Sequence, residues 1–301
     1  LHTAYRRQRQ MCIRDRPTVL KENGYYNLFF MTHEGQYDNM NAFFRTNGYD
    51  EVFSQEDYPA DKVVNSFGVQ DDFLYDYAIP VLNQRAATGQ PFFATLLSIS
   101  NHPPYVIPPF FHPKTSEPET QIVEYADWAL RQFFEEARKQ PWFDNTIFVL
   151  EGDHGKLVGD AECELPESYN HIPLMIYSSR IQPEEKTTFG GQVDIQPTIL
   201  GLLNIDYLQN NFGVDLLKEE RPCMFYTADN MVVGRNDTLL YLYNYETQQE
   251  LTYDIGNGKL NAVPMDDSFL PLKEYSFSML QSAEFLVKHG KTLNSIPFTQ
   301  Q

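Results

Sequence analysis

Cysteine is scarce in this sequence: Cys12, Cys163 and Cys223 are the three in 301 residues. They are too few and too far apart for a disulfide framework or a zinc-knuckle spacing, so unpaired thiols are expected. No stretch reaches the roughly eighteen uninterrupted apolar residues of a membrane-spanning helix, and the first residues lack the apolar core of a secretory signal. Positive charge is also in deficit, with 23 Lys and Arg against 41 Asp and Glu and a formal net charge of −18. That balance argues against nucleic acid, or an anionic membrane surface, as the main partner. Finally, the chain has no Gly-x-Ser-x-Gly elbow, no Walker loop and no dinucleotide glycine fingerprint, which removes the commonest nucleophile and nucleotide signatures.

What is present is enough for a core. Hydrophobic residues make up 42% of the chain, sufficient for one large α/β domain of about 200 residues with an appendage of about 80. Residues 1–16 form a basic, aperiodic run with Arg6, Arg7, Arg9, Arg14 and Arg16. Within it, Met11 to Arg16 resembles the translation of a sequencing-library transposon end, and the segment is set aside as non-native. The body opens at Pro17, and Leu20 to Tyr26 reads as a helix end running into a strand, so an upstream part is expected to be missing.

Short apolar runs alternate with longer helical patterns, the mark of a mainly parallel, helix-covered α/β sheet. The expected core strands are Tyr26–Met31, Phe92–Ile99, Thr146–Leu150 and Ile172–Tyr177. Asp71–Gln84, with a kink at Pro80, and Thr120–Lys139 carry apolar residues at helical spacing and read as covering helices. Asp194 is placed as the N-cap of a helix over Ile195–Leu203, with Pro197 in its first turn. After about Leu217 the composition turns Tyr- and Val-rich, predicting a small antiparallel sheet closed by a helix over Leu272–Lys288. The expected domains are therefore 17–217, the α/β core, and 218–301, a small α+β subdomain.

Three expected strands meet a histidine just past their C-terminal ends: His33, His102 and His154. Ligands of open α/β sheets bind in the crevice outside those ends. Asp153–His154, bracketed by Gly152 and Gly155, pairs a hard oxygen donor with an imidazole and reads as part of a divalent-metal site. The alternative is an aspartate capping the following turn beside a solvated histidine. Asn101 and His102, ahead of Pro103 and Pro104, offer polar groups for a phosphoryl or sulfuryl oxygen or for proton transfer; a turn histidine bonded to nearby backbone is the alternative. His33 begins a polar loop through Asp38 suited to a hydroxylated headgroup, or simply solvated. His171 stands at the entry of a strand rather than its end, where a structural role is expected. Lys156 is read as a surface lysine, and His112 receives no role. Two protein ligands are fewer than the three or four a functional metal site needs.

Four ordered motifs carry a family likeness: Ser100-Asn101-His102-Pro103, Glu151-Gly152-Asp153-His154-Gly155, Ile172-Pro173-Leu174-Met175-Ile176-Tyr177 and Gly190-Gly191-Gln192-Val193-Asp194-Ile195-Gln196-Pro197-Thr198. In order and spacing they resemble the lipoteichoic acid synthase group, the phosphoglycerol transferases within the alkaline phosphatase and sulfatase superfamily. The resemblance implies a membrane-anchored enzyme of the cell envelope with an extracytoplasmic catalytic domain and missing N-terminal membrane helices. A threonine nucleophile, upstream of this chain, takes glycerol phosphate from a phospholipid headgroup donor for a glycerol or glycan acceptor. A divalent ion, typically manganese, with zinc, magnesium or calcium as alternatives, is held by a glutamate, that threonine, and residues matching Asp153 and His154. The histidine matching His102 contacts the substrate phosphate.

The sequence departs from that pattern in two places. The loop Gln36–Asn41 lacks the Trp and Arg that the synthases use for glycerol phosphate. His171-Ile172-Pro173 stands where they have Arg-Val-Pro, which makes His171 a candidate substrate residue. The substrate-binding candidates are thus His33, Asp38, Asn101, His102 and His171. Sulfatase or phosphoethanolamine transferase activity, or an inactive envelope protein retaining the fold, are the alternatives. The fragment itself is expected to be inactive.

Overall fold

The structure, a computed structural model, describes residues 16–157, 160–209 and 211–289. The basic run set aside above lies, apart from Arg16, outside the described residues. The chain divides into two compact units: one runs to Ile147 and includes Ser178–Ile181, the other holds Phe148–Tyr177 and the chain from Gln182 onward.

In the first unit a helical segment, α1 (residues 16–22), leads into β1 (Tyr26–Met31). Helix α2 (Met40–Thr46) and strand β2 (Glu51–Phe53) follow, then α3 (Asp71–Ala86), β3 (Phe92–Leu97) and α4 (Pro118–Ala137). The sheet is parallel, in the order β2-β1-β3, with Phe29 opposite both Val52 and Thr95. The middle strand of a parallel sheet is covered on both faces, so its sequence must be apolar throughout rather than alternating. Leu28, Phe30 and Met31 are fully enclosed. The polar exception is Asn27, also fully buried, whose amide donates to Pro17 O (2.6 Å) and Gly48 O (2.9 Å) and thereby ties α1 and the α2–β2 turn to the strand. Leu74, Ala78 and Leu82 on α3, and Ile122, Tyr125 and Ala129 on α4, are buried at the three- and four-residue spacing expected of covering helices. Helix α3 is continuous through Pro80. Strand β2 was not expected: three residues beginning with a glutamate are too short to show a pattern.

At the start of α3, Asp71 is buried and its Oδ1 accepts from the backbone amides of Ile99 (2.9 Å) and Ser100 (3.0 Å). The Asp71 amide donates in turn to Ser100 Oγ at 3.0 Å. The end of β3 is therefore fixed to a helix terminus.

In the second unit, β4 (Phe148–Glu151) pairs with β5 (Leu174–Tyr177), and the two are antiparallel, with Val149 opposite Ile176. In a sheet that the sequence predicts to be mainly parallel, this pair is an exception. The physical reason for the difference is the connection: a parallel return needs a crossover, usually a helix, whereas the described part of 152–173 carries only a single 3-10 turn at Glu167–Tyr169. Helix α5 (Gln192–Leu202) follows, and then the meander β6 (Met224–Ala228), β7 (Met231–Arg235), β8 (Leu239–Asn244), β9 (Gln249–Asp254) and β10 (Asn261–Ala262), in sheet order β10-β9-β8-β7-β6. Helix α6 (Leu270–Lys288) closes the element order. Val233, Leu240 and Leu242 pack with Leu165 on one core, while Tyr241 packs with Phe269 and Leu272 on another. Alternate residues of β8 thus serve the two faces of the sheet. The fold is a parallel sheet with helices plus a C-terminal antiparallel subdomain. Cys163 and Cys223 are free thiols packed against those two separate cores. Among the described residues no helix is long and apolar enough to cross a membrane.

Asp194 sits inside α5 rather than capping it: Gly191 is the N-cap, and Asp194 Oδ2 reaches back to the Gly191 amide at 2.8 Å. Its Oδ1 accepts from Val214 N at 2.8 Å, and Arg221 Nε lies 3.2 and 3.1 Å from the two carboxylate oxygens. Side-chain exposure is 0% for Asp194 and 9% for Arg221. Burial works against the guanidinium's charge, but the carboxylate more than offsets it and Arg221 holds its proton more tightly than usual.

Arg221→Met, which leaves Asp194 charged and enclosed without its cation, is expected to lose about 3–5 kcal/mol of stability in urea denaturation. The double variant with Asp194→Asn should lose less than the sum of the single changes. At Asp71, burial pushes the carboxyl above its ordinary range despite the amides that favour its charge. A raised carboxylate makes the folded state less stable as pH climbs from the ordinary aspartate pKa through the raised one. Asp71→Asn should therefore match or exceed the wild type at pH 7 and flatten that pH dependence. Asp71→Ala, which orphans two amides, should cost about 2–4 kcal/mol.

Candidate functional site

In the first unit, β1 and β3 each deliver a histidine just past their C-terminal ends. His33 is 3% exposed, with Nδ1 3.0 Å from Glu34 O. His102 is exposed, with Nδ1 2.7 Å from Pro103 O. A carbonyl oxygen only accepts, so in each imidazole Nδ1 carries a hydrogen, and in the neutral ring Nε2 is the nitrogen that presents a lone pair. An aromatic row joins the two rings: His33 to Tyr37 (centroids 4.8 Å), Tyr37 to Phe67 (6.5 Å) and Phe67 to His102 (4.2 Å). His33 is therefore covered by its own loop, while Asp38 and Asn101 are exposed beside the two histidines in sequence. Asp38 and Asn39 both adopt left-handed backbone, φ 48° and 59°, which Asp and Asn tolerate better than other side chains. Gly35 N donates to both oxygens of Glu56 (3.2 and 3.1 Å). Burial works to raise the Glu56 carboxyl, but hydrogen bonds from Ser54 and from the backbone amides of Glu56 and Gly35 outweigh it and hold it below the usual range.

A shallow cleft lies against His102, lined by Asn65, Phe67, Gln70, Ser100 and Pro104 among others. The amides of Asn65 and Gln70 donate to Pro104 O and Val106 O and hold its rim. Its polar lining suits an oxygen-rich group, to which the doubly protonated His102 imidazolium can donate from Nε2, and the row of rings suits an apolar edge beside it.

In the second unit, Asp153 and His154 follow β4 directly. His154 N donates to Asp153 Oδ1 at 2.9 Å, and His154 Nδ1 lies 2.8 Å from Gly155 O. By the same reasoning Nε2 is the free nitrogen, and it sits 3.7 Å from Asp153 Oδ2. Both side chains are more than half exposed. Two donors at that separation fit adjacent ligands of one divalent cation, and a histidine fixed through its other nitrogen is the usual arrangement for a metal ligand. They are part of a set only: among the described residues no three His, Cys, Asp or Glu side chains group as a metal would require. His171 is exposed and its backbone amide donates to Glu167 O at 2.8 Å, but it does not complete such a group.

The turn that carries the pair is tightly held. A Cβ on Gly155 would overlap Ser168 O, so only glycine permits this approach, and Gly155 N donates to Tyr169 O at 2.8 Å. On the other side Gln192 Nε2 donates to Gly152 O (3.1 Å) and Asp153 O (2.9 Å). Sequence reasoning gave no role to Gln192, Asp71, Tyr37 or Phe67. The one available signal was position: Gln192 and Asp71 each open a helix, where polar side chains commonly serve backbone groups.

The sequence matches the family described as Sulfatase over residues 7–205. Among curated relatives, lipoteichoic acid synthase 1 of Bacillus subtilis (strain 168) is 26% identical over 266 residues, covering 81% of this chain and 40% of its own length. Phosphoglycerol transferase I of Xanthomonas campestris pv. campestris is 25% identical over 229 residues, covering 72% and 33%. The chain thus spans about two fifths or less of these relatives. Among solved structures, an alkaline phosphatase superfamily protein from Vibrio parahaemolyticus superposes with a TM-score of 0.76 at 28% identity, covering 92% of this chain and 67% of that one. The lipoteichoic acid synthase LtaP from Listeria monocytogenes has the same fold, with a TM-score of 0.77 at 22% identity, covering 95% and 74%. With the family match extending over more than half of its length, and the fold shared with these structures, the chain belongs to the sulfatase family.

Proposed function

We propose that this chain is part of a metal-dependent phosphotransferase of the cell envelope, one that moves a glycerol-phosphate headgroup from a phospholipid donor to a glycerol or glycan acceptor. The observation that carries the reading is the Asp153–His154 pair, whose Nε2 and Oδ2 stand 3.7 Å apart with His154 Nδ1 on a backbone carbonyl. The substrate class is supported by the relatives named lipoteichoic acid synthase and phosphoglycerol transferase. In this reading Asp153 and His154 hold a divalent ion, most readily Mn2+, whose chemistry there is to activate a hydroxyl and offset charge on a phosphoryl group. His102, as an imidazolium protonated at Nε2 as well, donates from Nε2 to a phosphoryl oxygen, with Asn101 beside it. Asp38, on the exposed loop over His33, addresses the headgroup hydroxyls, and His171 serves as a further substrate residue. The threonine nucleophile and the membrane anchor belong to sequence outside these residues, and the catalytic domain faces away from the cytoplasm.

A second reading, sulfate-ester hydrolysis, is favoured by the family description. Release of glycerol phosphate from phosphatidylglycerol, compared with sulfate release from an aryl sulfate, by a protein containing this chain separates the two. The metal reading predicts that Asp153→Asn and His154→Ala each lower Mn2+ affinity at least tenfold in calorimetric titration. Unchanged affinity in both variants would overturn it.

A further inference from the structure

We propose that Gln192 is a positioning residue for the metal-binding turn; the inference rests on the reading of Asp153 and His154 as metal ligands. A side-chain amide has two N–H donors and one acceptor. Here the nitrogen is directed at two consecutive carbonyls, Gly152 O at 3.1 Å and Asp153 O at 2.9 Å, across 40 and 39 residues of sequence. Those carbonyls flank the Asp153 Cα, so holding both fixes the peptide planes from which the carboxylate projects and from which His154 begins. The carboxylate then accepts from His154 N at 2.9 Å, which sets its rotation.

Gln192 can act in this way because its own backbone is immobilised. It is the first residue of α5, and the amide of the preceding Gly191 is held by Asp194 Oδ2 at 2.8 Å. Asp194 is in turn enclosed and paired with Arg221. On the opposite side the turn is held by Gly155 N on Tyr169 O at 2.8 Å. The four residues Gly152 to Gly155 are thus suspended between two fixed points, and the exposed donors between them need no buried packing of their own. This is the arrangement by which groups behind a metal's ligands determine its affinity without touching it.

The test uses this chain and MnCl2. The primary readout is Mn2+-induced broadening of the His154 imidazole protons, which responds to weak binding; amide exchange at His154 without metal is the second. Gln192→Ala is expected to lower Mn2+ affinity roughly tenfold to a hundredfold and to speed exchange at His154, with the melting temperature unchanged. Gln192→Glu is the discriminating variant. Its carboxylate cannot donate to the two carbonyls, yet it places a negative charge near the cation. A positioning role predicts a loss of affinity as in the alanine variant, whereas a mere neighbour would leave affinity equal or raise it. Wild-type affinity in both Gln192 variants, alongside a clear loss in Asp153→Asn, overturns the role of Gln192 alone. Undiminished binding in Asp153→Asn overturns the metal reading and the role of Gln192 with it.

Discussion

The second unit depends on one enclosed ion pair. Asp194 has no exposure, and a carboxylate in that position is tolerable only because every direction it faces offers a donor: the Gly191 amide, the Val214 amide and the Arg221 guanidinium. Those three donors come from the helix start, the following loop and the approach to the antiparallel sheet. One carboxylate therefore coordinates three segments that have no regular secondary structure in common. Such pairs contribute less net stability than an apolar core of equal volume, but they specify geometry, since the donors have few other ways to be satisfied. What they specify here is the start of α5 and, through it, the place from which Gln192 reaches the Asp153–His154 turn.

The first unit uses the same device with weaker charges. Asp71 receives two amides from the end of β3, and Asn27 gives its amide to two carbonyls from beneath β1. In each case a buried polar side chain satisfies backbone groups of another segment: the end of β3 for Asp71, and α1 with the α2–β2 turn for Asn27. The end of β3, from which the chain runs to His102, is thereby held before any ligand arrives.

The parts of this structure legible in the sequence were those that depend on local pattern. β1 is a six-residue apolar run and was placed to the residue, and α4 was placed to within two residues at either end, because its apolar stripe repeats over five turns. The direction of β5 was not legible, since strand direction is decided by what connects two strands and the 152–173 segment has no periodicity to read. Asp194 was read as a cap because aspartate before an apolar run usually is one; its true position, three residues inside the cap, is decided by partners at 214 and 221. The work of Gln192 and Asp71 was invisible for the same reason. Their partners are backbone groups, and a backbone carbonyl leaves no mark in a sequence.

The histidines carry a last consequence. His33, His102 and His154 each direct Nδ1 at the carbonyl of the residue that follows, rather than at a remote carboxylate. The tautomer of each ring is therefore encoded within two residues of chain. A loop bearing such a histidine can lengthen, change its neighbours or acquire a new substrate contact, and the ring will still offer the same nitrogen. That makes the imidazoles portable and leaves the surrounding loops free to diverge.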